Sequence, residues 1–118
     1  WAEFLKDGYD TIGENWGADT GAGTHAHGWS CTPTRDLVIY TLGVTPAAPG
    51  FTRARIAPRL GGLEWVKGQA PTPYGSIAVE VTPQQVIIDS PIPFELCLPG
   101  EPARPLPAGK HVISLQRS

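Results

Sequence analysis

The hydrophobic pattern of this sequence changes its period across a turn-rich junction at residues 44–50, VTPAAPG. Beyond the junction, apolar and polar residues alternate, so that Ile77 and Val79 share one face of a predicted strand. Before the junction, apolar residues recur at helical spacing. The change predicts a helical part over residues 1–50 and a β part over residues 51–118, which is an α+β organisation.

Two helices are predicted before the junction. The first ends within residues 1–9, where large apolar side chains have helical spacing. The second has Thr32 as its N-cap and Pro33 at its first helical position, and Gly43 is its stop signal. Two helices in front of a β domain leave apolar faces without a partner. We therefore expect residues 1–43 to be the last helices of a larger helical domain.

The β part contains short strands at regular spacing, separated by turn residues, and this pattern predicts an antiparallel β-sandwich. Trp65 alternates with Leu63 and is predicted to be a core side chain. The proline-rich residues 99–107 are predicted to form a surface loop. The predicted strands are residues 51–57, 63–67, 76–82, 86–89, 94–98 and 112–115.

The composition limits the expected partners. The chain has 118 residues and a net charge of −2, with only 17% charged residues, so we expect no nucleic-acid partner. It has no apolar run of the roughly 18 residues that a membrane span needs, so we expect no membrane partner. It begins on Trp1 and contains no methionine, and we expect a piece of a longer protein whose compartment cannot be read from this end. Cys31 and Cys97 are predicted to be buried free thiols.

The glycine-rich segment between the two predicted helices concentrates side chains that suit a sugar. Tryptophan faces stack on pyranose rings, imidazoles hydrogen-bond to hydroxyl groups, and a carboxylate can activate water. Catalysis by inversion would need a second carboxyl group, about 6.5–9.5 Å from the first. The candidate residues are Glu14, Trp16, His25, His27 and Trp29.

Other interpretations of the same side chains remain open. His25 and His27 have the spacing of an H-x-H metal motif, but a zinc or iron site needs a third ligand, and His111 is the only other histidine. We therefore predict no metal. A loop glutamate can simply be solvated, and tryptophans are usually core anchors. Asp10 and Asp19 are weaker carboxylate candidates.

Several segments, in the same order along the chain, resemble the C-terminal portion of bacterial α-L-rhamnosidases of glycoside hydrolase family 78. Residues 11–16, TIGENW, look like the family's T-x-W-E-x-W, with Gly13 where that pattern has Trp. Residues 25–33, HAHGWSCTP, are similar to the family's S-H-x-H-A-W-S-A-T-P. The other matching segments are LGVTPAAPGF at 42–51, RIAPRL at 55–60 and PTPYGSI at 71–77.

The resemblance implies that residues 1–43 are the final helices of an (α/α)6 barrel and that an antiparallel β-sandwich follows. It also implies that Glu14 is the general base in an inverting hydrolysis of terminal α-L-rhamnosides. By the same analogy, His27 lines the sugar pocket, and Trp16 and Trp29 shape its walls. The general acid would lie upstream, so the expected partners are a rhamnoside and the rest of the barrel. No cofactor is expected, and the isolated chain is expected to be inactive.

A rival hypothesis comes from a different functional class. In it, the chain is a noncatalytic carbohydrate-binding or structural β-sandwich module, whose tryptophans and histidines only hold a ligand or stabilise the loop. Replacement of Glu14 by Gln in the full-length protein separates the two hypotheses, because only a catalytic base is needed for turnover.

Overall fold

The computed structural model describes residues 2–15, 23–24 and 26–115, and it divides the chain into two compact units, Trp1–Asp36 and Leu37–Ser118. The described part of the first unit contains the short helices α1 (Ala2–Lys6) and α2 (Thr32–Asp36), and a 3₁₀ turn at Gly28–Ser30. None of the helices in the described ranges is long and apolar enough to cross a membrane.

The helix predicted before Gly43 is present. Helical residues run from Thr32 to Leu42, because α2 is followed in sequence by a π-helical segment, Leu37–Leu42. Gly43 then adopts a φ of 80° and ends the helical run, as the sequence predicts. A Cβ at this position would overlap the backbone carbonyl of Ala57, so glycine is required by space as well as by φ.

The described part of the second unit contains two four-stranded sheets, with strand orders β1-β2-β6-β7 and β3-β4-β5-β8. In the second of these sheets, β3, β4 and β5 are consecutive antiparallel neighbours, and β8 pairs antiparallel with β5. The strands are β1 (Val44–Pro46), β2 (Ala54–Ile56), β3 (Val66–Thr72), β4 (Gly75–Val81), β5 (Gln85–Ser90), β6 (Phe94–Leu96), β7 (Arg104–Leu106) and β8 (Gly109–Ser114), with a 3₁₀ turn at Pro49–Phe51.

The inward faces of the two sheets form a single hydrophobic core, so this unit is the β-sandwich that the alternating pattern predicts. From Ile77 to Val81 in β4 every second residue is buried, which is the pattern of a strand with one face in the core. The first sheet contributes Val44, Ala54, Ile56, Phe94 and Leu96, and the second contributes Ala70, Ile77, Val79, Val81, Val86 and Ile88.

The prediction of a fully antiparallel sandwich is wrong at one strand pair. Strands β2 and β6 run parallel, with Ala54 opposite Phe94 and Ile56 opposite Leu96. Parallel neighbours need a long crossover connection, and here that connection passes through β3, β4 and β5 of the other sheet. Sequence spacing indicates which segments are strands, but it does not indicate which distant strands become neighbours.

Two strands lie where turns or loops are predicted. Strand β1 occupies the start of the junction and pairs with β2, and β7 lies inside the proline-rich segment and pairs with β6. Both are edge strands of their sheet, where a proline such as Pro46 or Pro105 breaks no interior ladder. The predicted strand at residues 51–57 is correspondingly shorter, because Pro49–Phe51 forms a 3₁₀ turn.

Two predictions of burial are also wrong. Trp65 is 63% exposed, since β3 begins at Val66 and it is Val66 that packs against the core. Cys97 is buried as predicted, whereas Cys31 is exposed; both are free thiols. The larger helical barrel, and the assignment of residues 1–50 to it, stay predictions.

Candidate functional site

Two backbone hydrogen bonds in the first unit tie the ends of the glycine-rich loop together. Glu14 N donates to Thr24 O over 2.9 Å, and His27 N donates to Ile12 O over 2.9 Å. These bonds satisfy backbone groups in a segment that has no helix or sheet ladder to do so. As a result, Glu14 and His27, which are distant in sequence, become neighbours.

The side chains at this closure form a cluster of Glu14, Thr24 and His27. Thr24 N donates to Oε2 of Glu14 over 3.0 Å, and the Thr24 hydroxyl oxygen lies 2.9 Å from Nδ1 of His27. Nδ1 of His27 is 3.9 Å from Oε2 of Glu14. The two side chains are 31% and 26% exposed respectively, so both are half-buried and within reach of solvent.

Glycines shape the space around the Glu14 carboxylate. Gly13 is buried directly before it in the sequence. Gly23 has a φ of 91°, and a Cβ built there would lie 2.8 Å from Oε2 of Glu14 and 2.8 Å from Nδ2 of Asn15. Any larger residue at position 23 would strain the backbone and push the carboxylate from its place.

The geometry suits a carboxylate that accepts a proton from water. Oε2 of Glu14 is held by a backbone donor, so the side chain has a defined orientation, and its partial exposure keeps it reachable. General base work requires both orientation and access. The imidazole of His27 is held beside this carboxylate by the contact of its Nδ1 with the Thr24 hydroxyl.

The structure tests the placement of only some predicted site residues. It brings Glu14 and His27 together, whereas Trp16 and His25 lie outside the described residues. The backbone of Trp29 lies in the 3₁₀ turn at Gly28–Ser30. Among the described residues, no group of three His, Cys, Asp or Glu side chains could hold a metal ion.

Thr24 is the cluster residue that sequence reasoning missed. A signal for it was present, because it occupies the place of the serine in the pattern S-H-x-H, and both residues carry a hydroxyl group. A hydroxyl donates one hydrogen bond and accepts others, so it can connect an imidazole to its surroundings. The weaker candidate Asp10 is exposed, and Asp19 lies outside the described residues.

The first unit also has an apolar groove of about 390 Å³. Phe4 at its wall is buried and packs edge-to-face against Tyr9, with ring centroids 6.4 Å apart, whereas Leu5 is 77% exposed. The groove is lined by Ala2, Phe4, Leu5, Tyr9, Asp10, Thr11, Ile12 and Pro33.

A shallow cavity of about 400 Å³ lies on the outer face of the β3-β4-β5-β8 sheet. Lys67 and Glu80 form an ion pair across it, with 3.1 Å between Nζ and Oε2. Lys110 faces Asp89 on the neighbouring strand, so the charges on this surface balance.

Comparison with known proteins gives two findings. The family model described as the bacterial α-L-rhamnosidase C-terminal domain matches residues 43–110. The crystal structure of native α-L-rhamnosidase from Aspergillus terreus is similar in fold, with a TM-score of 0.73 and 18% sequence identity. The similarity covers 98% of this chain and 15% of that one, so this chain spans about a seventh of that protein's length. None of the curated proteins matches the chain.

The two matches differ in what they cover. The family match lies in the second unit and covers β1 to β7 and the start of β8, whereas the loop with Glu14 and His27 precedes it. The structural similarity includes nearly the whole chain. The family assignment therefore rests on the sandwich and does not extend to the cluster of Glu14, Thr24 and His27.

Proposed function

Because the chain belongs to the bacterial α-L-rhamnosidase C-terminal domain family, we propose that it is the C-terminal part of an inverting glycoside hydrolase that releases terminal α-L-rhamnose. In this proposal Glu14 is the general base, and the sugar binds beside it. The observation that carries the proposal is the oriented carboxylate of Glu14, held by Thr24 and neighboured by His27.

The reaction needs two carboxyl groups with different tasks. The Glu14 carboxylate takes a proton from a water molecule while the water oxygen bonds to the anomeric carbon. The glycosidic bond breaks at the same time, and the leaving oxygen keeps the electron pair and takes a proton from a carboxylic acid on the opposite face. Attack from the face opposite the leaving group inverts the anomeric configuration. The acid is expected on the barrel, about 6.5–9.5 Å from Glu14.

The remaining candidate residues bind the sugar in this proposal. His27 donates a hydrogen bond to a rhamnose hydroxyl, and its ring is held in place through Nδ1. Trp16 and Trp29 form walls of the pocket, as the family resemblance implies, and the imidazole of His25 contributes a further polar contact. No cofactor takes part.

The rest of the helical barrel is the proposed protein partner of the first unit. The apolar groove and the exposed side chain of Leu5 support this, because short helices with an uncovered apolar surface gain stability when further helices bury it. The isolated chain then lacks the general acid and does not turn over rhamnosides.

The test is made in the full-length protein that contains this chain. Glu14→Gln keeps the size of the side chain but removes the base, so kcat on an aryl α-L-rhamnoside should fall by about 10²–10⁴-fold while L-rhamnose still binds. Glu3→Gln is the matched control, because it makes the same change at an exposed carboxylate that is not among the residues lining the groove, and it should leave kcat unchanged. Unchanged turnover in Glu14→Gln, or turnover by the isolated chain, would contradict the proposal.

The alternative function is a noncatalytic carbohydrate-binding module. It is favoured by the charge-balanced surface on the β3-β4-β5-β8 sheet and by the exposed Trp65 directly before β3. Isothermal titration of the isolated chain with L-rhamnose and rhamnose-containing oligosaccharides checks this. Binding that Trp65→Ala abolishes, together with normal turnover of the Glu14→Gln full-length protein, would establish the alternative.

A further inference from the structure

We propose that Thr24 is a positioning residue that fixes the general base and the sugar-binding histidine relative to each other. This inference rests on the proposed function and deepens it. Its observation is that one residue contacts both side chains, through its backbone N–H on one side and its hydroxyl on the other.

The two contacts of Thr24 are of different kinds. The backbone N–H holds Oε2 of Glu14 at 3.0 Å, and a substitution of the side chain leaves this donor in place. The hydroxyl oxygen lies 2.9 Å from Nδ1 of His27, and this contact depends on the side chain alone. The two contacts can therefore be separated by mutation.

The hydroxyl contact determines how His27 presents its ring. Its 2.9 Å length is that of a good hydrogen bond, whereas the 3.9 Å from Nδ1 to Oε2 of Glu14 is too long for one. The Thr24 hydroxyl contacts Nδ1, and the imidazole tautomer sets which of the two groups donates. Nε2, at the opposite edge of the ring, is then the nitrogen that meets a sugar hydroxyl.

Threonine suits this task for a steric reason. It is branched at Cβ, so its χ1 angle has few accessible values. The direction of its hydroxyl group is therefore restricted even without the contact to His27. Gly23, directly before Thr24, has no Cβ that would meet the Glu14 carboxylate, so the loop backbone can approach this carboxylate closely. The two-residue segment Gly23–Thr24 thus fixes the positions of both Glu14 and His27.

The experiment compares Thr24→Val, Thr24→Ser and Thr34→Val in the full-length protein. Thr24→Val removes the hydroxyl at nearly constant volume, and we expect KM to rise and kcat/KM to fall about tenfold, the effect of one lost hydrogen bond of ordinary strength. Thr24→Ser keeps the hydroxyl and should recover kcat/KM to within about threefold of the wild type. Thr34→Val is the control, since Thr34 is an exposed residue of α2.

A double-mutant cycle separates positioning from general loosening of the fold. If Thr24 acts through His27, Thr24→Val should change kcat/KM less than twofold in a His27→Ala background, because the contact is already lost. An undiminished loss in that background would overturn the inference, as would a Thr24→Ser variant as impaired as Thr24→Val. Equal melting temperatures of the Thr24 and Thr34 variants show that both are folded.

The failure of this inference and the failure of the proposed function give different results. Loss of turnover in Glu14→Gln with full kcat/KM in Thr24→Val overturns the inference alone. Normal turnover in Glu14→Gln overturns the proposed function. The affinity of Thr24→Val for L-rhamnose then decides whether Thr24 still orients a sugar-binding histidine, and an unchanged affinity would overturn the inference as well.

Discussion

Nδ1 of His27 lies 3.9 Å from Oε2 of Glu14, and Thr24 lies between them in the hydrogen-bond network, with contacts of 2.9 and 3.0 Å. The separation is too long for a direct hydrogen bond, so the two side chains are linked through a third residue. Protonation of His27 would add only the modest attraction of a solvent-screened contact, because both side chains are partly exposed. The geometry of the cluster therefore depends more on the loop backbone than on attraction between its charges.

Gly23 should be essential for the position of the Glu14 carboxylate. In Gly23→Ala the new Cβ would lie 2.8 Å from Oε2, so the carboxylate must shift, and a displacement of about 1 Å in a catalytic group can cost about 10²-fold in rate. We expect kcat/KM of the full-length protein to fall by at least tenfold, measured on an aryl rhamnoside.

Gly8→Ala is the matched control for that substitution. Gly8 has a φ of 81°, close to the 91° of Gly23, but a Cβ there would meet nothing within 4 Å. Both variants therefore carry similar backbone strain, and only Gly23→Ala disturbs the carboxylate. Equal activity of the two variants would show that the position of Glu14 does not limit the reaction.

Gly43→Ala should destabilise the sandwich unit. The added methyl group would overlap the backbone carbonyl of Ala57, which cannot rotate away as a side chain can, and the φ of 80° is unfavourable for alanine. We expect the free energy of unfolding of the isolated chain to fall by about 2–4 kcal/mol, measured by urea denaturation.

Gly61→Ala is the control that separates the two causes of destabilisation expected in Gly43→Ala, which are overlap with Ala57 and backbone strain. Gly61 has a φ of 57° and open space around its Cα, so this variant should lose only about 1–2 kcal/mol. If both glycine variants lose the same free energy of unfolding, the close approach to Ala57 contributes nothing.

Phe94 and Trp65 differ in burial, so we expect their replacement by alanine to change the free energy of unfolding by different amounts. Phe94 is 0% exposed and contacts the ring of His111 edge-to-face at 5.4 Å, so Phe94→Ala should cost about 3–5 kcal/mol. Trp65 is 63% exposed, and Trp65→Ala should cost the isolated chain less than about 1 kcal/mol. Urea denaturation of the two variants checks both values, and a large loss for Trp65→Ala would support the core position that sequence alternation predicts.

Local patterns predicted much of the second unit. The alternation of Ile77, Val79 and Val81 identified β4 and its buried face, since strand periodicity is a local property. The stop signal at Gly43 is also local, because a positive φ disfavours residues with a Cβ. The exposure of Trp65 was not predicted, because the alternation was assigned to a strand that begins only at Val66.

In the cluster of Glu14, Thr24 and His27, too, the sequence indicates the residue types, and the structure decides their contacts. The carboxylate, imidazoles and indoles between residues 14 and 29 indicate sugar chemistry from their types alone. The family resemblance implies roles for Glu14, His27, Trp16 and Trp29. These roles, and that of His25, stay predictions. The sequence indicated no role for Thr24, because its proposed role comes from two simultaneous contacts, with Glu14 and with His27, that exist only in the folded loop.

The sequence by itself indicated the helical run that ends at Gly43, most of the strands that follow it, and the residue types that suit a sugar. Only the tertiary structure decided that β2 and β6 run parallel and that the proline-containing strands β1 and β7 are the edges of their sheet. It also decided that Thr24 contacts both Glu14 and His27. The reason is physical. Periodicity and turn chemistry act between near neighbours, whereas strand pairing and loop closure are contacts between distant residues, which are chosen by packing of the whole chain.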